Sequence, residues 1–233
     1  MVWLRAWFPA ACAATFLLLP SAYADTVIDF TLNVDGCTGG CGSNGKNSTN
    51  NNFATIQLDD NGLGSVIVTE TLHGTEFVNS SGKEALVFNL PVLTGLTITL
   101  SDPSSFAVST ARTYSMSPFS GSFDEAIKCT VCGNGSSHPE AGPLIFTVTA
   151  AGGVTASDFH VTTGGYYFAS DVIGVTSGKT GDVASNSAGT LVSQGAQQIP
   201  ATPEPGTVLS ALGGVSLLGL FLKTQTRLKP RRN

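Results

Sequence analysis

Hydrophobic and polar residues alternate with a period of two in several short stretches, which is the pattern of β-strands that bury one face. The stretch TVIDFTLNV puts four apolar residues on one face, namely Ile28, Phe30, Leu32 and Val34. LTGLTITL does the same with Leu96, Ile98 and Leu100, and GSFDEAIKCTV with Phe123, Ile127, Cys129 and Val131. Further strands are predicted at 53–58, 64–72, 85–90, 144–150, 157–162 and 166–173.

Between its two ends the chain contains no convincing amphipathic helix. Its 27 glycines and 11 prolines suit frequent turns, and Asn61-Gly62 predicts one of them, at the tip of a hairpin. Many short strands without helices predict an all-β fold, an antiparallel β-sandwich or jelly roll, over residues 25–185. Residues 186–202 are mainly small and polar, and they predict a flexible linker.

Charge is distributed unevenly along the chain. Charged residues make up 12% of the sequence, and the formal net charge is -5. Between residues 25 and 206 lie all 16 acidic residues and five basic ones, Lys46, Lys83, Arg112, Lys128 and Lys179. An acidic body is unsuited to a phosphate backbone, so nucleic acid is not expected as a partner.

The N-terminal 24 residues have the features of a secretory signal peptide. A basic residue precedes an apolar stretch, and Ala22-Tyr23-Ala24 provides small residues at Ala22 and Ala24 for cleavage. We therefore expect a short signal helix, export through the secretion translocon and cleavage by signal peptidase after Ala24. Cys12 leaves with the signal, so the mature chain keeps four cysteines in a compartment that permits disulfides.

The C-terminal end combines three features in a fixed order. Pro203, Glu204 and Pro205 form a stretch that cannot continue a regular helix or strand. Residues 207–222 carry no charge and would extend about 24 Å as a helix, against a hydrocarbon core of about 30 Å. The tail 223–233 is basic, as is typical of a segment that stops transfer across a membrane. We expect a transmembrane helix at about 207–222.

This order of parts resembles the PEP-CTERM sorting signal of Gram-negative bacteria, over residues 203–233. The resemblance implies that Pro203, Glu204 and Pro205 are recognised by an exosortase, a membrane-embedded cysteine transpeptidase, which cleaves near the motif. It also implies delivery to the cell envelope, the outer surface or the extracellular matrix, with transient or permanent anchoring in the membrane. The motif is then a substrate for another enzyme and not a catalytic site of this chain.

A second resemblance covers roughly residues 85–185. The segment CTVCG, followed by GPLIFTVTAAGGVTASDF, GYYFASDVIG and TGDVAS, is similar to a pattern that recurs in exported proteins ahead of this sorting signal. This resemblance implies no activity.

Four cysteines are the most distinctive residues of the body. Cys37-x3-Cys41 and Cys129-x2-Cys132 are expected to form structural disulfides, and four cysteines allow three pairings. The local pairing is preferred because each pair sits in or beside a turn-rich loop, and the two cross-linked pairings stay open. A zinc site of four thiolates would need both pairs to meet, and a redox motif would need a helix N-terminus at Cys129.

Other residues suggest chemistry less strongly. Asp59, Asp60 and Asn61 could offer oxygens to calcium, but they lack the ligand spacing of an EF-hand, so a turn is preferred and no cofactor or metal is assigned. The stretch GVTSGKT is one residue short of a phosphate loop, and Lys179 is expected in a solvated loop. The histidines, His73, His138 and His160, have no catalytic motif around them.

The sequence thus predicts an exported structural or adhesive protein that is not an enzyme. Its surface, rich in threonine, serine and asparagine, would suit contact with a polymer such as exopolysaccharide. The alternative is a carbohydrate-binding module, which needs several exposed aromatic rings on one shallow face. The only aromatic cluster is Tyr166, Tyr167 and Phe168, and alternation should send at least one of these rings into the core.

Overall fold

Two antiparallel β-sheets build the described part of the molecule, with their apolar faces packed together as in a β-sandwich. The structure is a computed structural model, and it describes residues 26–42, 51–111 and 113–192. Within these ranges there is no α-helix, only two short 3-10 turns at Ser80–Gly82 and Ala156–Asp158. The same ranges include no helix with the length and apolar character that crossing a membrane requires. The predicted signal helix and transmembrane helix lie outside them.

Fourteen strands follow one another along the described chain, and every pair of neighbouring strands is antiparallel. They are β1 (Thr26–Leu32), β2 (Val34–Asp35), β3 (Ala54–Asp60), β4 (Ser65–Leu72), β5 (Thr75–Asn79), β6 (Leu86–Phe88), β7 (Thr97–Leu100), β8 (Phe106–Val108), β9 (Glu125–Cys129), β10 (Gly135–Glu140), β11 (Leu144–Thr149), β12 (Phe168–Gly174), β13 (Thr180–Ser185) and β14 (Thr190–Val192). The first sheet has six strands in the order β14, β1, β3, β4, β11 and β7.

The second sheet is organised around β12, because this strand pairs along both of its edges. On one edge lies β13, followed by β2. On the other edge β6 pairs with the first half of β12 and β5 with the second half. Strands β9 and β10 continue this division, with β9 beside β6 and β10 beside β5, while β8 closes the edge beyond β9. The sheet is therefore interrupted twice at the same level. Residues 80–85 separate β5 from β6, and residues 130–134 separate β9 from β10.

A cluster of phenylalanine rings joins the two sheets. Phe88 on β6 lies 5.5 Å from the ring of Phe146 on β11 of the opposite sheet and 5.6 Å from Phe159. Phe30 on β1 meets Phe168 on β12 edge to face, with ring centroids 5.0 Å apart. All five rings are buried, and burying such a side chain contributes about 1.5–3 kcal/mol. The contact between the sheets thus depends on aromatic residues at alternating strand positions.

The outer face of the second sheet is also covered, by residues 114–123, which we call the covering segment. Tyr114, Met116, Phe119 and Phe123, which lie between β8 and β9, pack against small residues of that face. These small residues are Val87, Ala126, Ala169 and Ala184, one from each of β6, β9, β12 and β13. Because the covering segment lies on one side and the core on the other, every residue of β12 is buried.

Most of the predicted strands are present, but one is absent and several observed strands were not predicted, including β5, β8 and β10. The strand predicted at 157–162 is wrong, since this stretch begins in a 3-10 turn whose capping box is formed by Thr155 and Asp158. Strand β13 lies where a loop was expected, and β14 lies within the linker predicted at 186–202, where it pairs with β1.

Gly36 marks the closest approach between β2 and the covering segment, and replacing it with alanine should destabilise the fold. A Cβ at Gly36 would overlap Pro118 and would lie 2.7 Å from the carbonyl oxygen of Asp182. Overpacking of this kind costs about 1–3 kcal/mol, measured as the free energy of unfolding in denaturant. Gly152→Ala is the matched control, because a Cβ added there would have no atom within 4 Å of it. An equal effect of the two substitutions would contradict the steric explanation.

Candidate functional site

The outer face of the first sheet carries a regular array of threonines, which we call the threonine face. Each of five neighbouring strands, β1, β3, β4, β11 and β7, contributes at least one threonine to it. The array consists of Thr31, Thr55, Thr69, Thr71, Thr97, Thr99, Thr147 and Thr149. Their side chains alternate with the core residues of the same strands, so they lie on the surface that points away from the other sheet.

Strand register aligns these threonines in rows. Thr31, Thr55 and Thr71 lie directly opposite one another on β1, β3 and β4. Thr147 faces Thr99, and Thr149 faces Thr97, on β11 and β7. Rows of a β-sheet repeat at about 4.8 Å across strands and about 6.8 Å along them, so the hydroxyls within each group are closely spaced. Between the two groups, Thr69 faces Ile145 and Thr147 faces Ile67 on β4 and β11.

The threonine face carries little charge. On the strands that form it, the charged residues of this face are Asp29 and Asp59, and both are acidic. His73 borders it, with Nε2 2.9 Å from Oγ1 of Thr55. The face therefore offers hydroxyl donors and acceptors beside methyl groups, which suits a neutral, hydroxyl-rich partner better than an anionic one.

The four cysteines form two local disulfides. Cys37 and Cys41 are bonded with their Cα atoms 5.5 Å apart, and Cys129 and Cys132 with theirs 5.4 Å apart. The preferred local pairing is thereby confirmed. Sulfurs bonded in this way are not thiolates, so they do not provide the ligands of a four-thiolate zinc site. Cys129 ends a strand rather than beginning a helix, which is unlike a redox motif.

Asp35 organises the first disulfide loop from within. Its carboxylate accepts hydrogen bonds from the backbone N–H groups of Cys37 at 2.9 Å, Cys41 at 2.9 Å and Gly42 at 3.2 Å. Side-chain ligand atoms of Asp35, Cys37 and Cys41 lie within 4.8 Å of one another. These ligand atoms already have bonding partners, because the two sulfurs bond to each other and both carboxylate oxygens accept hydrogen bonds from N–H groups. This loop is structural.

The stretch proposed for calcium is the turn of the β3–β4 hairpin. Asp60 accepts the N–H of Gly62 at 2.9 Å with one oxygen and that of Ala156 at 3.0 Å with the other. Asn61 accepts the N–H of Leu63 and donates to Oγ of Ser65. These oxygens already hold the turn together, as the preferred interpretation required.

Lys179 and the histidines occupy positions at the surface or in loops. Residues 175–179 form the turn between β12 and β13, closed by a 2.9 Å bond from the N–H of Gly174 to the carbonyl of Lys179. No helix follows this turn, unlike a phosphate loop. His73, His138 and His160 are exposed, and Nδ1 of His160 lies 3.1 Å from the carbonyl oxygen of Asp158.

The aromatic cluster does not form an exposed platform. Phe168 is fully buried, as alternation predicted for at least one of the three rings. Tyr167 packs against Phe30 with ring centroids 5.0 Å apart, and Tyr166 packs against Phe119 at 4.9 Å. Tyr167 and Phe168 thus share Phe30 as a neighbour, whereas Tyr166 packs against the segment that covers the second sheet, so the three faces are not presented together.

Sequence reasoning missed two buried carboxyls on the outer side of the second sheet. Asp171 on β12 lies directly opposite Asp182 on β13, and both are buried. Asp171 accepts bonds from the N–H and hydroxyl of Ser80, each 2.5 Å long, and Asp182 pairs with Nζ of Lys83. Burial raises the pKa of Asp171 to about 7 and that of Asp182 to about 6. The only hint in the sequence was an acidic residue inside each of the segments ASDVIG and GDVAS.

A third buried carboxyl lies in the core between the sheets. Glu70 on β4 is fully buried, and its oxygens have no hydrogen-bond partner among the residues described. The hydroxyl of Ser170, on the inner face of β12, donates instead to the carbonyl of Ala85. Desolvation raises the pKa of Glu70 to about 8, so at neutral pH this side chain is a neutral acid.

The residues predicted for processing, Ala22, Ala24, Pro203, Glu204 and Pro205, lie outside the described residues. Comparison of the chain with families of proteins, with characterised proteins and with solved structures found no match. What the structure defines is therefore a class by architecture: an all-β protein of two antiparallel sheets with two local disulfides.

The buried Glu70 should make stability depend on pH. Between the ordinary pKa of 4.5 and the native pKa of about 8, the folded state holds a proton that the unfolded state has lost. The free energy of unfolding should therefore fall as pH rises through this window, by up to about 1.4 kcal/mol per pH unit. Asp171 and Asp182, whose pKa burial raises to about 7 and about 6, add to the slope in the acidic part of this range. Glu70→Gln, which keeps the shape and cannot ionise, should therefore reduce the slope in denaturation curves at pH 5 to 9 by up to about 1.4 kcal/mol per pH unit without removing it.

Glu140→Gln on β10 is the control for this experiment, because it makes the same substitution at a carboxyl that is partly exposed. An unchanged slope in the Glu70→Gln protein would mean that Glu70 is not the group responsible.

Proposed function

We propose that the protein is an exported structural or adhesive component of the cell surface or extracellular matrix. It is sorted by its C-terminal PEP-CTERM signal and contacts hydroxyl-rich polymer through the threonine face. The observation that carries the proposal is the grouping of threonines on one outer face of the first sheet, in a row across β1, β3 and β4 and in a second patch across β11 and β7.

The chemistry of the threonine face favours a neutral polymer. Polysaccharide hydroxyls both donate and accept, and so do threonine hydroxyls, so many pairings satisfy both partners. Each bond between neutral groups contributes only about 0.5–1.5 kcal/mol, and useful strength then comes from repetition along the polymer. Two patches of closely spaced hydroxyls on one face can contact several sugar units of a polymer, which a single deep pocket cannot.

The proposed route to the surface uses segments at both ends of the chain. Residues 1–24 act as the signal peptide, and residues 203–233 act as the sorting signal read by an exosortase, with the transmembrane helix at about 207–222. Two disulfides in the body agree with this route, because disulfides persist in oxidising compartments outside the cytoplasm.

The alternative, a carbohydrate-binding module that stacks sugars on aromatic rings, has less support. Its candidate rings are Tyr166, Tyr167 and Phe168. Tyr167 and Phe168 pack against Phe30 in the core, and Tyr166 packs against Phe119. A sugar would find no common plane there. We therefore favour contact through hydroxyl groups over stacking on rings.

The sorting signal can be tested in the producing bacterium. Replacing Pro203 and Pro205 with alanine should leave signal cleavage after Ala24 intact and abolish cleavage at the tail. The measurement is the intact mass of the protein recovered from envelope and culture fluid. Normal tail processing in the variant would overturn the exosortase assignment.

The threonine face can be tested with the mature protein and exopolysaccharide from the same culture. Replacing Thr97, Thr99, Thr147 and Thr149 with valine removes four hydroxyls but keeps shape and strand propensity. Retention on the polymer in co-sedimentation should weaken by at least about tenfold.

The control carries the same change at Thr113 and Thr163, two exposed threonines that lie beside Tyr114 of the covering segment and in the loop before β12. Equal retention of the two variants would rule out the threonine face as the contact surface.

A further inference from the structure

A lysine and two carboxyls meet beneath the segment that covers the second sheet. Nζ of Lys83, in the interruption between β5 and β6, contacts Oδ2 of Asp182 on β13. The same Nζ donates to the carbonyl of Ser117 in the covering segment at 3.2 Å. Across the described ranges 26–42, 51–111 and 113–192, this is the one ion pair found.

The second carboxyl stands beside this pair. Asp171 faces Asp182 in register on adjacent strands, so the two side chains project from the same face of the sheet. Ser80 fixes Asp171 with two hydrogen bonds. Asp182 is fully buried, and its second oxygen, Oδ1, has no hydrogen-bond partner among the described residues. One side of the Asp182 carboxyl is thus unsolvated and unpaired.

The surroundings exclude most water from this group. The side chain of Lys83 is 23% exposed and that of Asp182 is 0% exposed. The covering aromatics, Tyr114, Phe119 and Phe123, pack over the alanines of the same face. In such surroundings an ionised carboxylate is costly, which favours transfer of a proton to Asp182. Burial acts in the same direction on Asp171 and Asp182, since it raises the pKa of both.

We propose that Lys83 and Asp182 condense into an intramolecular amide bond, with Asp171 transferring the proton. The site is a self-modification site, distinct from the threonine face and independent of the proposed function. Its three groups come from the interruption at 80–85, from β12 and from β13.

The reaction balances without another reagent. The ammonium of Lys83 first gives a proton to the carboxylate of Asp182, which leaves a neutral amine and a neutral acid. The amine nitrogen attacks Cγ of Asp182, and Asp171 accepts the proton that the nitrogen loses. Asp171 then delivers this proton to the departing hydroxyl, the carbon–oxygen bond breaks, and one water leaves. The products are a secondary amide and water, and Asp171 returns to its starting state.

Proximity lowers the barrier to a condensation that is very slow between separate groups in water. Groups held in reacting geometry behave as if present at effective concentrations of about 10⁵–10⁸ M. Here the amine and carboxyl are held by the ion pair itself and by the bond to Ser117. The reacting residues lie 99 positions apart, so the bond would close a long loop, where a cross-link constrains the unfolded chain strongly.

The test is a tryptic digest of the purified full chain under denaturing and reducing conditions, read by tandem mass spectrometry. An amide at Lys83 blocks cleavage there, so residues 47–112 should stay in one piece and be joined to the peptide that begins at residue 180. The branched peptide should weigh one water less than its two parts. Recovery of separate peptides 47–83 and 84–112, with an unmodified peptide from 180, would mean that Lys83 and Asp182 form an ion pair only.

Variants assign the roles of the three residues. Lys83→Arg keeps the positive charge but offers no nucleophilic amine, so it should give no branched peptide while the chain still folds. Asp171→Asn should leave Lys83 unmodified, and Asp171→Glu should restore at least part of the branched peptide. Folding of each variant is checked by complete formation of both disulfides and by the cooperativity of unfolding.

Full cross-linking in a folded Asp171→Asn protein would overturn the role of Asp171. If Asp171→Asn does not fold, Asp171→Ser replaces it as the variant without a carboxyl, and the same absence of the branched peptide is expected. An Asp171→Glu protein that folds but forms no cross-link would contradict proton transfer by a carboxyl at this position.

Discussion

Burial of β12 on both faces is the constraint on which most of this structure depends. A strand with seven buried residues must pack against the core on one side and against a second apolar layer on the other. The core side uses Phe168 and Val172, which pack toward the first sheet, and the outer side uses Ala169. Because alanine projects so little from the sheet, the aromatics of the covering segment can lie close against it. The covering segment therefore depends on the small residues beneath it, because larger side chains there would keep its rings away from the sheet.

The same constraint explains the difference between the two sheets. The second sheet has no open face over β12, and so the polar residues located there are buried and must find partners within the protein. Asp171 accepts two hydrogen bonds from Ser80, and Asp182 forms an ion pair with Lys83. The first sheet has an open outer face, where threonines can sit in register at the surface. A surface available to another molecule therefore exists on one sheet, and a closed polar cluster on the other.

Local features were predictable from the sequence, and features that depend on distant partners were not. Alternation located β1, β4 and β11, because each buries one face, and Asn61-Gly62 located a turn whose bonds are mostly local. Strand β13 was missed because TGDVAS has little apolar character, and only its position between β12 and β2 makes it a buried strand. The partners of Asp171 and Asp182, 91 and 99 positions away, could not be read from local patterns.

Interruption of two neighbouring strands at one level has a physical consequence for how the second sheet is held. Where β5 gives way to β6 and β10 to β9, ladder hydrogen bonds are lost, and the sheet should be weakest there. Each interruption carries a compensating link. On one strand the Cys129–Cys132 disulfide closes the turn, and on the other Lys83 reaches from 80–85 to β13. The reach of Lys83 matters more, because it crosses β12 and ties the irregular segment to a strand on the far side. An ion pair would make this tie reversible, whereas an amide would make it permanent. A permanent tie at this level would persist after unfolding and would lower the conformational entropy of the unfolded chain, which would stabilise the folded state of a protein exposed outside the cytoplasm.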